Sequence, residues 1–133
     1  MKKIVYVLTI LLTAFTAISC NSLKEITPDL TATQIMQYGQ EAYSSGNYEA
    51  ADYYYTQTLI RFGMDTAIYV EARYEIGHIA LKTKDYEKAY RCFKEIIEIY
   101  QSVPAGSLNP SFRTLSEKGM DKIPADVLEK LKK

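Results

Sequence analysis

The chain is poor in the residues on which most catalysis and metal binding depend. In 133 residues it has no tryptophan, one histidine (His78) and two cysteines (Cys20 and Cys92). A single histidine excludes a multi-histidine metal site and leaves a Ser-His-Asp mechanism without support. Two cysteines are too few for a disulfide scaffold or an all-cysteine zinc site. Excess charge of one sign is lacking as well, with 16 Lys+Arg against 16 Asp+Glu. A nucleic-acid-binding surface needs a basic excess or stripe to neutralise phosphates, so no nucleic-acid partner is expected. The sequence contains no Gly-rich phosphate loop or nucleophile elbow. Glu95 and Glu98 stand at i, i+3, which suits a solvated helix face better than a catalytic pair. The expectation is therefore no enzyme, no metal and no cofactor. Hydrophobic residues at 47% with 24% charged exclude wholesale disorder. The length is that of about one domain.

The zero charge mixes two parts. Lys2 and Lys3 precede an apolar run, residues 4–15, broken only by Thr9 and Thr13. The run is shorter than the ~20 residues of a membrane-spanning helix and fits the core of a signal peptide. Taken alone, these residues leave open a plain secretory signal or an uncut anchor. Ser19 just before Cys20, and polar Asn21 and Ser22 after it, make the segment resemble a bacterial lipoprotein signal. Ala17 stands where Leu is commonest. The resemblance implies cleavage after residue 19 and a diacylated Cys20 as the new N-terminus. Each buried CH₂ of such a lipid contributes about 0.8 kcal/mol to membrane binding. Residues 20–30 would then be a lipidated tether. The protein would face the periplasm, with the outer membrane favoured over the inner because Asn21 is not the Asp of inner-membrane retention. What remains is 114 residues with 14 basic and 16 acidic side chains. Cys92 is then the only thiol, in an apolar-periodic stretch that suits a small core residue.

From residue 31 onward the chain reads as helix. Thr31 with Gln34 has capping-box spacing. Apolar periodicity and stop signals predict helices over residues 32–45, 48–61, 67–83 and 86–101, with Asn47, Asp65 or Thr66, and Asp85 as caps. Gly46, Gly63 and Pro104 end three of them. Tyr53, Tyr54 and Tyr55 are about 100° apart on a helix and cannot share one core, so Tyr53 or Tyr54 is expected to be partly exposed.

The two helical pairs are copies. A shift of 38 positions places Gly39 on Gly77, Ala42 on Ala80, Tyr48 on Tyr86, Glu49 on Glu87 and Ala51 on Ala89. Asn47 falls on Asp85, and Tyr55 on Phe93. The small residues suit close helix approach, Tyr48 and Tyr86 suit the turns, and Tyr55 and Phe93 suit burial between helices. The pattern Gly39, Gly46, Tyr48, Ala51, Tyr55 and then Gly77, Tyr86, Ala89, Phe93 resembles the tetratricopeptide repeat, a helical hairpin of about 34 residues. The units are residues 32–65 and 70–103. The usual Trp is Ile35 and Arg73, the second turn Gly is Lys84, and the closing Pro is Gly63 and Gln101. The resemblance implies an all-α, right-handed α-solenoid, similar to the repeats of outer-membrane assembly and cell-envelope lipoproteins.

Two units are few for such a stack, and residues 104–133 are expected to cap it. Asn109-Pro110 would open a helix over 111–118 stopped by a left-handed Gly119, and Pro124 would open another over 125–132. The apolar stripe Val127, Leu128 and Leu131 suits either a cap or a docking helix for another protein.

The resemblance places the partner groove on Thr33, Met36, Gln40, Tyr43 and Ser44 of the first unit and Glu71, Tyr74, His78, Leu81 and Lys82 of the second. The functions it implies are a lipid-anchored adaptor that binds another envelope protein, or a periplasmic accessory subunit holding an apolar small molecule. A structural spacer and a homo-oligomer are further possibilities. His78 could sense pH, but it lacks a second ligand for a metal.

Overall fold

The computed structural model describes residues 23–133; the expected signal segment and Cys20 fall in residues 1–22, outside them. The described residues hold six helices and no strand: α1 (Ala32–Ser44), α2 (Tyr48–Phe62), α3 (Thr66–Lys82), α4 (Tyr86–Ser102), α5 (Ser111–Met120) and α6 (Ala125–Leu131). The fold class is all-α.

Side-chain caps set the helix starts. The Thr31 hydroxyl accepts from the Gln34 N–H (3.3 Å), while the Gln34 side chain accepts from the Thr31 N–H (2.9 Å). Asn47 accepts from the Ala50 N–H, Asp65 from Ala67 and Ile68, and Asp85 from Lys88. Each such cap contributes about 1 kcal/mol. Helix α3 is 17 residues long against 13 for α1. The longer offset between the two copies is therefore an extra turn, residues 66–69, at the start of α3.

The α1–α2 and α3–α4 turns share one backbone device. Gly46 has φ 79 and Lys84 has φ 64. Only glycine adopts this left-handed region without a Cβ penalty of about 1–2 kcal/mol. Lys84→Gly is therefore expected to stabilise the fold by about 0.5–1 kcal/mol, after allowing for the freer unfolded chain, and Gly46→Ala to destabilise it by about 1 kcal/mol. Urea denaturation of the two variants checks the opposite signs.

Helices α1 and α2 form one hairpin and α3 and α4 the next, with α2 packed on α3. Tyr43 meets His78 between α1 and α3, and Lys88 of α4 pairs with Asp52 of α2 at 2.6 Å. The first helices thus neighbour each other, while the second helices are joined by that ion pair. Inside each hairpin a glycine faces an aromatic ring. A Cβ on Gly39 would lie 2.8 Å from the Tyr55 ring, and one on Gly77 would lie 2.9 Å from Phe93. Ala51, Tyr55, Ile76, Ile79 and Cys92 form one buried cluster, while Ala80, Ala89, Phe93 and Ile123 form another. Burial pushes the Cys92 thiol above its ordinary pKa, which suits a core residue. Between α3 and α4, Glu95 accepts from both Tyr69 and Arg73. Burial and this carboxylate push the Tyr69 phenol up to about 12.

Three local expectations need correction. Gly119 is no left-handed stop: α5 continues to Met120, and a Cβ at 119 would lie 2.6 Å from Phe93. That glycine is needed for close packing. Pro110 is the N-cap itself rather than the first helical residue, with Asn109 accepting from the Ser111 N–H. The supposed tether is docked from Leu23 onward. Tyr54 Oη accepts from the Lys24 N–H (2.6 Å) and donates to the Lys24 carbonyl (3.2 Å). Arg61 donates to the carbonyls of Ile26 and Thr27. Ile26 and Leu30 pack with Ile35, Ala50 and Tyr54, so the segment covers the free side of the first hairpin. Of the three adjacent tyrosines, Tyr53 is the exposed one.

At the other end α5 packs on both α3 and α4. Ile123 is buried against Ala80, Ala89 and Phe93, with Val127 and Leu128 beside it. Apolar cover therefore lies at both ends of the hairpin pair.

Candidate functional site

The surface shared by α1 and α3 carries a chain of rings. Tyr48 lies 5.3 Å from Tyr43, Tyr43 lies 5.4 Å from His78, and His78 stacks on Tyr74 at 5.9 Å. Tyr74 continues to Phe112 of α5 at 5.7 Å and to the buried Phe93 at 6.1 Å. Each contact falls within the range of favourable aromatic pairing. Helical spacing explains the array: Tyr74 and His78 are i, i+4 on α3, and Leu81 follows on the same face. All these rings except Phe93 are only partly buried, so they present apolar area to a visitor.

Charge is divided across the array. On one side a cleft of about 350 Å³ is lined by Tyr43, His78, Leu81, Tyr86 and the three lysines Lys82, Lys84 and Lys122. A neighbouring cleft of about 340 Å³, sharing His78, Leu81 and Lys122, reaches Tyr74, Leu115, Lys118 and one carboxylate, Asp121. Toward the start of α3, on the stripe that continues to His78 and Lys82, stand Glu71 and Glu75. Burial, then the nearby Glu71, raises the Glu75 carboxyl above its ordinary value. Burial and then these two carboxylates also raise the Tyr55 phenol.

His78 Nδ1 lies 4.0 Å from Glu75, the outer limit of an ion pair. That contact does not offset the opposing influences. Burial, then Lys122 and Lys82, hold the imidazole below its ordinary pKa of 6.5. A depressed histidine contributes stability that is fully present above 6.5 and lost as pH falls toward the folded value, because the unfolded chain protonates first. Glu75 has the opposite sign: its contribution is present below 4.5 and lost as pH rises through its raised folded value. The expected result is that His78→Gln flattens the loss of melting temperature between about pH 7.5 and about pH 5.5. Glu75→Gln is expected to raise the melting temperature at about pH 7.5. Thermal melts of both variants against the parent at the two pH values check this.

Of the groove residues expected from the sequence, Tyr43, Tyr74, His78, Leu81 and Lys82 come together. Met36 instead packs partly against the Tyr55 and Ile76 cluster. Thr33, Gln40, Ser44 and Glu71 are exposed, and the Gln40 side chain reaches Ser44 along its own helix at 3.5 Å. Sequence reasoning missed Glu75, Lys84, Phe112, Lys118 and Lys122. Glu75 was legible, four residues beyond Glu71 and between Tyr74 and His78. Phe112, Lys118 and Lys122 arrive only because α5 folds back. Among the described residues, no cluster of three His, Cys, Asp or Glu could hold a metal ion. No helix there is long and apolar enough to cross a membrane.

No family model matches the chain, and no solved structure matches it. It is similar to a protein of Treponema pallidum (strain Nichols) named only as an uncharacterized protein, with 28% identity over 93 residues. That match covers 70% of this chain and 37% of the relative, so the chain spans well under half the relative's length.

Proposed function

We propose that this protein is a membrane-anchored adaptor of the bacterial cell envelope, built from two tetratricopeptide-like repeats, that holds a segment of another protein on its α1–α3 face. The observation carrying the reading is the ring array Tyr43–His78–Tyr74, which joins the two hairpins on one accessible surface. Tyrosines offer apolar area with a hydrogen-bonding tip and little side-chain entropy to lose, which suits protein contact. The lysines beside them select a segment with an apolar residue over the rings and a negative charge facing Lys82 and Lys122. The repeat assignment is supported by the matching glycine-to-ring contacts and the matching positive-φ turns. The envelope assignment rests on the N-terminal sequence, with a lipid on Cys20 and the outer membrane favoured. Binding rather than catalysis is the role in this reading.

The experiment is crosslinking and pull-down of the full chain from envelope membranes. The expected result is a stoichiometric protein partner, lost in Tyr74→Ala while circular dichroism and melting show a folded protein. Cys20→Ser is expected to block processing or release the protein from the membrane fraction. A small molecule carried in place of a protein, or a partner retained by both Tyr74→Ala and Tyr43→Ala, sinks the adaptor reading.

A further inference from the structure

Exposed apolar side chains are unevenly placed. Five large ones are exposed among the described residues, and four of them belong to one end: Leu23 (53%), Tyr53 (41%), Ile60 (70%) and Met64 (99%). Tyr53 and Ile60 are i, i+7 on one face of α2, about 10 Å apart with the partly exposed Thr56 and Gln57 between them, and Met64 follows just past the helix end. Leu23 lines the same shallow cleft as Tyr53 and Ala50, with Asn47 and Glu49 at its polar edge. The buried side of α2 is Ala50, Ala51, Tyr54, Tyr55 and Thr58, with Ala50 at the floor of that cleft.

This stripe borders the docked N-terminal segment. Tyr54 holds Lys24 by its backbone N–H and carbonyl, and Arg61 holds Ile26 and Thr27. Residue 23 is thus set beside Tyr53. Cys20 is three residues away, which a fully extended chain spans in about 11 Å. A lipid on Cys20 would have no long tether. It would be delivered within one side chain or two of the stripe.

We propose that the Leu23, Tyr53, Ile60 and Met64 face lies on the phospholipid bilayer, fixing the orientation of the whole protein at the membrane. The proposal rests on the reading of Cys20 as the lipid-bearing residue. Apolar side chains of an interfacial surface enter the headgroup and acyl boundary, and tyrosine is favoured at that depth. The two cations of the docked segment and its α2 partner are engaged: Lys24 pairs with Glu41, and Arg61 donates to carbonyls. Contact is therefore with apolar lipid rather than with anionic headgroups, and it persists on zwitterionic membranes. The Tyr43–His78–Tyr74 array lies on the α1–α3 surface and stays open to a partner in this orientation.

The chain has no tryptophan, so one introduced indole is the sole indole reporter. Full-length Met64→Trp and Leu115→Trp variants are produced in a bacterial host, purified from its membranes and placed in phosphatidylcholine vesicles with or without brominated acyl chains. Bromine quenching of about twofold is expected for Met64→Trp and none for Leu115→Trp, which reports from α5. Equal quenching of both, or no quenching at Met64→Trp, overturns the proposal. So does a vesicle-bound dimer that crosslinks through position 64 and shields it from lipid, which would assign the stripe to a second copy. Intact mass reads the anchor separately. An acyl mass on Cys20 supports the lipid reading. An uncut N-terminus sinks that reading but leaves the chain membrane-held, so the quenching contrast still decides the stripe. A cleaved, unlipidated product that ignores vesicles overturns both.

Discussion

Phe93→Ala is expected to lower stability by about 3–5 kcal/mol, the cost of emptying a buried aromatic site. For a domain of this size each kcal/mol corresponds to roughly 4–8 °C in melting temperature, so the loss is about 12 °C or more. The magnitude follows from what the ring touches. Phe93 is 1% exposed and lies between two helices: α3, at Gly77 and the accessible ring of Tyr74, and α5, at Gly119. Both glycines exist to admit it, since a Cβ at either would come within 3 Å of the ring. Removing the ring therefore leaves a cavity that no neighbouring side chain is shaped to refill. Because Tyr74 rests on Phe93, the same variant is expected to disturb the groove. Differential scanning calorimetry gives the stability loss, and a shift below about 1 kcal/mol would show that the site collapses freely.

The second large effect is expected at Ile123, outside every helix. Ile123→Ala should cost about 2–5 kcal/mol, as much as a core position within a helix. Its side chain is 4% exposed and seals the second hairpin at Ala80, Ala89 and Phe93, with Val127 and Leu128 packed alongside. A C-terminal segment that merely waited for a partner would show a change near zero. Since Ile123 and Phe93 share one cluster, the double variant is expected to lose less than the two single losses added together. Chemical denaturation of the singles and the double measures that coupling, and strict additivity would mean the two residues act apart.

The helices themselves were legible because their signals are local. Thr31 with Gln34, Asn47, Asp65 and Asp85 state where helices start, and each satisfies backbone N–H groups within its own turn. The internal copy was legible for a related reason, since Gly39 with Tyr55 and Gly77 with Phe93 recur at one shift. The errors came where packing outranked local preference. Gly119 looked like a helix stop, because glycine commonly ends helices in the left-handed region. Contact with Phe93 gives it a different purpose within the helix. The segment after Cys20 looked free because residues 23–30 lack periodicity, yet its hydrogen bonds go to Tyr54 and Arg61, some 30 positions later. About half of the expected groove came together at Tyr43, Tyr74, His78, Leu81 and Lys82. The lysines and Phe112 supplied by the end of the chain could not be placed in advance.

The scarcity of histidine, cysteine and tryptophan, the all-helical class, the paired hairpins and the capped helix starts were determined by sequence alone. Each is a matter of composition or of contacts only a few residues apart. Tertiary structure alone decided that residues 23–30 cover the first hairpin, that Phe93 of α4 packs on both α3 and α5, and that lysines 84, 118 and 122 border the tyrosine array. It also decided that Leu23 is held beside an apolar stripe on α2. These depend on pairings between residues distant in the chain, which the burial of shared apolar surface selects and no local pattern encodes.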